Sequence, residues 1–143
     1  MKMKKELLVF IAHIDDFECA CFGFLFKHHL EYDKIKIITA TSWDSKKSIW
    51  KENLQLLPNE ILKKVTDINF KFPQRQLNSQ FDSLKDRFYN EINFKSTFDI
   101  LTHDENDCHT DHVVLFQIAK GMYKYAEKFV TIYSPSSTSF NPN

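Results

Sequence analysis

Short apolar segments alternate along this chain with longer segments of helical periodicity, and this alternation constrains the fold more than any other feature. Residues 7–12 form a continuous apolar run, which is typical of a strand buried on both faces. The other predicted strands are 35–41, 67–72, 98–102 and 129–133. The predicted helices are 17–28, 46–57, 77–92 and 111–128. The order βαβαβαβαβ predicts an α/β fold in which a mainly parallel sheet of about five strands is covered on both sides.

Composition and charge exclude several classes of protein. The 143 residues carry 19 basic and 19 acidic side chains without a block of like charge, so we expect no nucleic-acid partner. Gly23 and Gly121 are the only glycines, which excludes the glycine-rich loops that cradle phosphates. We read residues 1–143 as a single domain, because no linker or repeat divides them.

The sequence also bears on where the protein resides. No uncharged run approaches the roughly 20 apolar residues that span a bilayer, so we expect no membrane span. The apolar run near the N-terminus ends at His13, and no small-residue cleavage site follows it. The three cysteines lack the spacing of a disulfide framework. We therefore expect a cytoplasmic protein.

Two loops at the ends of predicted strands concentrate ionisable groups. The first reads AHIDD, from Ala12 to Asp16, and the second reads HDENDCHTDH, from His103 to His112. The carboxyl ends of parallel strands meet at one edge of a sheet, where such folds bind their ligands. Two imidazoles and one carboxylate form a common set of ligands for catalytic zinc. His13, Asp16 and His112 can supply that set, although another divalent metal is also possible.

These two motifs resemble a known family. AHIDD is similar to the AHPDD signature, and HTDH to the HPDH signature, of the LmbE/PIG-L N-deacetylases. The resemblance implies a Rossmann-like, three-layer LmbE-like fold. It also implies a zinc-dependent hydrolase that removes the acetyl group from N-acetylglucosamine-type sugars or their conjugates.

The resemblance also assigns a role to each residue of the motifs. It implies that His13, Asp16 and His112 bind zinc, while Asp15 is the general base. Protonated His109 would polarise the carbonyl oxygen of the substrate, oriented by Asp111. Asp111 can also be read as the N-cap of the fourth helix, and the two roles are compatible.

The sequence departs from the family pattern around the expected substrate pocket. Ile14 stands in place of the proline of the signature, and Ile49 in place of an arginine. The chain stops at Asn143, whereas members of the family continue into a further strand and helix. We therefore expect a domain that lacks the C-terminal part of the family. The uncovered edge near residues 129–133 and the tail from Ser134 to Asn143 would favour association, either with a second copy as a homo-oligomer or with another partner. The alternative is that this sequence is a fragment and that the missing portion packs there.

Two alternative functions stay open at this point. The first is a non-catalytic protein for metal binding or assembly that descends from this family, because the altered loops and the early end affect the pocket. The second is an amidase acting on a substrate that is not a sugar, because no residue specifies a pyranose ring.

The remaining polar and aromatic residues receive plainer interpretations. Trp50 is expected in the core, and Trp43 either stacks on a sugar or packs at the surface. Cys19 and Cys21 are expected to be buried apolar residues. We expect a solvated loop to contain His103, Asp104, Glu105 and Asp107. Three cations could meet an anionic group of a substrate, namely Lys46, Lys47 and Arg75.

Overall fold

The computed structural model describes residues 4–134, and within them five strands form one sheet. The strands are β1 (Lys5–Ile11), β2 (Lys34–Thr41), β3 (Val65–Phe72), β4 (Thr97–His103) and β5 (Lys128–Ile132). Their order across the sheet is β3-β2-β1-β4-β5, and every neighbouring pair is parallel. Parallel neighbours need crossover connections, and the helices supply them.

The helices follow the strands in regular alternation. They are α1 (Ile14–Asp16), α2 (Phe22–His28), α3 (Lys47–Gln55), α4 (Asn59–Leu62), α5 (Phe81–Asn90) and α6 (Thr110–Lys120). A π-helix, Phe17–Cys21, joins α1 to α2. Short 3-10 helices are His29–Glu31, Asp44–Lys46, Leu77–Gln80 and Tyr123–Tyr125. No helix among residues 4–134 is long and apolar enough to cross a membrane.

Each face of the sheet has its own apolar core. On one face, Leu8 and Phe10 of β1 pack with residues of α5 and α6, and the Phe10 ring stacks on Phe88 with centroids 4.0 Å apart. On the other face, Leu7 and Val9 pack with residues of the segment from α1 to α4. The alternation of β1 side chains between the two faces builds three layers. The predicted Rossmann-like, three-layer α/β fold with about five parallel strands is therefore confirmed.

The strand order fixes where a ligand site can form. The chain moves from β1 to β2 on one side and later returns to place β4 on the other side of β1. The carboxyl ends of β1 and β4 therefore flank the point at which the strand order reverses, which is the usual ligand crevice of such sheets.

One predicted element differs clearly from the structure. The predicted helix 111–128 ends at Lys120, followed by the Tyr123–Tyr125 turn and an extended Ala126. Met122 is fully buried and Ala126 packs on the same core, so the apolar pattern continues although the helix does not. The chain needs these residues to turn back and enter β5 at Lys128.

A buried carboxylate joins the elements at the opposite edge of the sheet. Asp99 of β4 is fully buried and accepts hydrogen bonds from the Tyr32 hydroxyl at 2.7 Å and the Lys128 backbone N–H at 3.0 Å. Lys5 lies 3.0 Å from the same carboxylate and 2.8 Å from Glu127, and these acidic partners raise the pKa of Lys5 against its partial burial. Asp99 thus links β1, β4 and β5.

Candidate metal centre

The candidate site lies in the crevice between β1 and β4. His13 follows β1 and is the N-cap residue of α1, where its backbone N–H donates to Asp16 Oδ2 at 2.8 Å. His112 lies in the first turn of α6, after the loop that leaves β4. Two bonds hold the strand ends together, from Thr102 Oγ1 to the Phe10 carbonyl at 2.8 Å and from the Ala12 N–H to His103 Nε2 at 3.0 Å.

Three donor atoms from these elements form a compact triangle. His13 Nδ1 lies 3.2 Å from Asp16 Oδ2, and His112 Nε2 lies 3.2 Å from the same oxygen. The two imidazole nitrogens are 3.4 Å apart. The structure thus brings together the three residues that the sequence predicted as metal ligands. We name this set, His13, Asp16 and His112, the donor triangle.

The dimensions and tautomers of the donor triangle fit a metal ion. Ligand atoms at zinc distances of about 2.0–2.1 Å in a tetrahedral site lie about 3.3–3.4 Å apart, close to the edges found here. His13 Nε2 is 3.1 Å from Asp111 Oδ2, and His112 Nδ1 is 2.9 Å from Asp107 Oδ2. Because these carboxylates accept hydrogen bonds from the outer nitrogens, His13 Nδ1 and His112 Nε2 keep lone pairs directed into the triangle. The group can therefore hold a divalent ion.

The electrostatics of the donor triangle favour positive charge. Burial opposes ionisation of Asp16, but when His112 and His13 are protonated, the hydrogen bonds that they donate to Asp16 outweigh burial and hold the pKa of its carboxyl far below the usual range. Burial likewise disfavours the charged imidazoles. The bonds and charge of Asp16 still raise the pKa of both His13 and His112, with support from Asp111 and Asp107 respectively. These carboxylates would stabilise a bound cation in the same way.

Three of the four residues predicted to form a solvated loop after β4 are buried, so that prediction is wrong for them. His103, Asp104 and Asp107 are buried, whereas Glu105 is exposed. Asp107 accepts bonds from His112 and from the Ser134 hydroxyl at 2.8 Å, and its second oxygen accepts the His109 N–H at 2.8 Å. Asp107 thereby orients His112 and shapes the loop. In the sequence, the only sign of this role for Asp107 is its position between a buried strand and the His109–His112 pair.

His103 lies fully buried against His112, outside the cavity lining. Its ring stacks on His112 with centroids 3.8 Å apart and planes inclined by 8°. Burial and the neighbouring charge of His112 lower the pKa of His103 to about 3, so the ring is neutral at physiological pH. Its Nε2 accepts the Ala12 N–H, which places the proton on Nδ1.

His109 and Asp111 differ in part from their predicted arrangement. His109, not Asp111, is the N-cap of α6, and its Nδ1 accepts the Asp111 backbone N–H at 3.1 Å. The Asp111 carboxylate contacts His13 and accepts the backbone N–H groups of Arg75 at 2.8 Å and Leu77 at 3.4 Å. Burial and the nearby His112 and His13 lower the pKa of His109, so the neutral ring with a proton on Nε2 is favoured over the protonated form.

Two further groups of possible ligands share residues with the donor triangle. His13, His109 and Asp111 form one, and His103, Asp107 and His112 form the other. Neither group lies wholly on the cavity wall, because Asp111 of the first and His103 and Asp107 of the second do not line the cavity. The second group is fully buried as well. The donor triangle is the better candidate because its residues line an open cavity.

This cavity has a volume of about 250 Å³ and is mostly polar. Its wall includes Asp15, the predicted general base, which is exposed next to the donor triangle. His109 lies on the same wall, so two of the three predicted catalytic residues have access to a ligand, whereas Asp111 does not line the cavity. Two cations, Lys46 and Arg75, also line it, whereas Lys47 does not. The volume is near the lower end of the roughly 300–1,000 Å³ of small-molecule pockets.

The other residues singled out in the sequence have structural roles. Trp50 is buried as predicted, and Trp43 packs against it with centroids 5.4 Å apart. Of the two cysteines predicted to be buried, Cys21 is buried but Cys19 is exposed.

Comparisons with known proteins support the fold. No family model matches the chain, and no curated protein matches its sequence. Among solved structures, the conserved protein TT1542 from Thermus thermophilus matches with a TM-score of 0.59 and 19% identity over 97% of this chain. GalB, the 4-carboxy-2-hydroxymuconate hydratase from Pseudomonas putida, matches with a TM-score of 0.52 and 17% identity over 93% of this chain.

A third structure broadens this comparison. A bifunctional NMN adenylyltransferase/ADP ribose pyrophosphatase from Francisella tularensis matches with a TM-score of 0.55 and 13% identity over 99% of this chain. The present chain spans 70% of the length of TT1542, 63% of that of GalB and 40% of that of the Francisella protein. At these identities the likeness extends to the fold, and the three-layer α/β arrangement is what this chain has in common with all three.

Proposed function

We propose that this protein is a metal-dependent hydrolase of the LmbE/PIG-L type, which removes the acetyl group from an N-acetylated amino sugar or its conjugate. The donor triangle carries this proposal, because its dimensions suit a zinc ion and it opens into a cavity lined by Asp15 and His109. Its position in the crevice between β1 and β4 supports a ligand site. The choice of an N-acetylated sugar rests on the AHIDD and HTDH motifs.

In this proposal His13, Asp16 and His112 hold the ion, and Asp15 and His109 act on the substrate. A divalent ion in such a site activates a water molecule near neutral pH and polarises a carbonyl oxygen. Asp15 accepts the proton of the attacking water, since its exposed carboxylate borders the cavity next to the triangle. It then delivers that proton to the amine as the amide C–N bond breaks.

His109 stabilises the charge that develops on the carbonyl oxygen. Its Nδ1 accepts the Asp111 N–H, so its Nε2–H is free to donate to that oxygen while the ring is neutral. A donor positioned before the reaction needs no reorganisation as charge develops, and this electrostatic effect is often the largest contribution to catalysis. Asp111 acts as a positioning residue for both His109 and His13.

Replacement of Asp15 tests this proposal. We expect Asp15→Asn to keep its metal, because Asp15 is not in the donor triangle, while turnover falls by about 10²–10⁴-fold, as for a lost general base. The measurements are metal content by elemental analysis and release of acetate from N-acetylglucosamine and a panel of its conjugates. Asp44→Asn, at an exposed aspartate outside the cavity lining, is the matched control.

The outcomes separate the alternative functions. Loss of metal from Asp15→Asn would make Asp15 a ligand and reverse the roles of Asp15 and Asp16. Stoichiometric metal without acetate release from any substrate by the unmodified protein would favour the non-catalytic alternative. Hydrolysis of N-acetylated compounds that are not sugars, with none of the sugars, would favour the amidase.

A further inference from the structure

Two cationic side chains line the cavity beside the donor triangle, and neither has an acidic partner in the described part of the chain. Lys46 belongs to the 3-10 helix Asp44–Lys46, and Arg75 to the loop that follows β3. Neither side chain forms an ion pair or hydrogen bond with any residue from 4 to 134. Of the neighbouring cations, Lys71 lies 3.8 Å from Asp44 and Arg87 donates to the Phe70 carbonyl at 2.7 Å, whereas Lys47, which does not line the cavity, also has no such contact among residues 4–134. Lys46 and Arg75 therefore face a position that a ligand can occupy.

The backbone of Arg75 is fixed in an unusual conformation at this position. Its φ of 61° lies in the left-handed region, which is unfavourable for a residue with a side chain. The Arg75 N–H donates to Asp111 Oδ2 at 2.8 Å, and the same oxygen contacts His13 Nε2 at 3.1 Å. This bond ties the loop to the donor triangle. Strained residues of this kind concentrate at functional sites, where surrounding contacts hold them.

The two cations have no role in hydrolysis of the amide itself. The amide is neutral, and Asp15, His109 and the donor triangle supply the groups that its hydrolysis requires. We propose that the substrate carries an anionic group, a carboxylate or a phosphate, which Arg75 and Lys46 bind while the acetamide lies at the donor triangle. This inference rests on the proposed function for the reacting end of the substrate, but the anion subsite can be tested by binding alone.

The chemistry of the two side chains suits this role. The planar guanidinium of Arg75 can form two parallel bonds to a carboxylate or phosphate, and the Lys46 ammonium adds a point charge. The volume of about 250 Å³ restricts the ligand to a small molecule. Hydrogen bonds to charged groups are strong enough to change affinity by about tenfold or more.

Calorimetric binding to the zinc-loaded protein tests the subsite directly. The probes share an amino sugar and differ in charge: glucosamine, glucosamine 6-phosphate and muramic acid, which carries a carboxylate. We expect at least one anionic probe to bind about tenfold or more tightly than glucosamine, with an advantage that shrinks as ionic strength rises. The tighter of the two identifies phosphate or carboxylate as the group recognised.

Variants then connect this preference to the two cations. Arg75→Asn removes the guanidinium but tolerates the left-handed backbone, so the N–H bond to Asp111 can persist. We expect it to bring the anionic probe to within about threefold of glucosamine, and Lys46→Gln to reduce the preference in part. Lys47→Gln is the matched control, because Lys47 does not line the cavity, and it should keep the full preference. Thermal unfolding and zinc content confirm that each variant is folded and loaded.

Equal binding of the three probes by the unmodified protein would overturn the inference, as would a preference that both Arg75→Asn and Lys46→Gln retain. If Arg75→Asn does not fold, the inference is tested by the comparison of probes on the unmodified protein and by the loss of preference in Lys46→Gln. Turnover of the corresponding N-acetyl compounds keeps the two proposals distinct. Anion binding without acetate release would support the anion subsite and contradict the proposed deacetylase. Acetate release without any anion preference would support the deacetylase and contradict the anion subsite.

Discussion

Asp16 is the residue on which the candidate metal centre depends most. One of its oxygens, Oδ2, accepts the His13 backbone N–H and contacts both imidazole nitrogens of the donor triangle. Its place as the third residue of α1 directs it back toward the helix start. A carboxylate here is favoured by the helix N-terminus as well. The short spacing from His13 to Asp16 thus combines a helix cap with two of the three candidate metal ligands.

Asp107 is predicted to strengthen metal binding without touching the metal. Asp107→Asn weakens the acceptor for His112 Nδ1–H, which orients the ring and increases its basicity. We expect the affinity for zinc to fall by about 10–100-fold, measured by competition with a chromogenic chelator. Glu105→Gln, at an exposed position in the same loop, should leave the affinity unchanged. An unaltered affinity in Asp107→Asn would show that this contact does not orient His112.

At this scale the sequence predicts which residues meet in the donor triangle better than it predicts the buried residues behind them. His13, Asp16 and His112 lie in the short segments that directly follow β1 and β4, so the order of the elements along the chain is enough to bring them together. The sequence predicts His103 and Asp107 to be solvated, because a segment so rich in ionisable groups resembles a surface loop. Their burial depends on contacts with distant residues, such as Ser134 and the Ala12 N–H, which no local pattern reports.

Among the secondary-structure elements, the helix after β1 is the least regular. It passes from α1 through the π-helix Phe17–Cys21 into α2, directly after Asp16. Short π-helical segments often occur at functional sites. Phe17, Cys21 and Leu25 face the core, and Cys19 faces solvent. The sequence indicated a helix here, but a π-helix leaves no distinct signature in the apolar spacing.

Thiol labelling tests this helix. We expect two of the three cysteines, Cys19 and Cys108, to react rapidly with a thiol reagent in the folded protein, because both are exposed. Cys21 should react only on unfolding, since burial shields it and strongly raises the pKa of its thiol. Cys21→Ala should still show two fast thiols, and Cys19→Ala only one. Three fast thiols, or one, in the unmodified protein would contradict the orientation of this helix.

For the molecule as a whole, the alternation of strands and helices was predictable and the strand order was not. Apolar runs such as 7–12 mark buried strands, but the order β3-β2-β1-β4-β5 depends on the directions of the crossovers. The rule that open α/β sheets bind ligands beyond the carboxyl ends of their strands nevertheless predicts the location of the candidate metal centre. The predictions for residues 135–143, including their part in self-association, lie outside the described residues.

Asp99 is predicted to stabilise the sheet at the edge opposite the site. Asp99→Ala leaves the Tyr32 hydroxyl and the Lys128 N–H without their buried acceptor and removes one carboxylate beside Lys5. We expect the free energy of unfolding in urea to fall by about 3 kcal/mol. Asp82→Ala, which removes an exposed ion pair with Lys85, should cost less than about 0.5 kcal/mol. A similar small loss for Asp99→Ala would mean that solvent replaces its contacts.

The stoichiometry of bound zinc tests the central claim most directly. After loading and dialysis, elemental analysis should give about one zinc per chain for the unmodified protein. The figure should fall close to zero for His112→Ala and Asp16→Ala. His28→Ala, which removes an imidazole bound to Glu31 outside the site, should retain the full amount. The absence of zinc from the unmodified protein, or its full retention in both His112→Ala and Asp16→Ala, would contradict a metal centre formed by His13, Asp16 and His112.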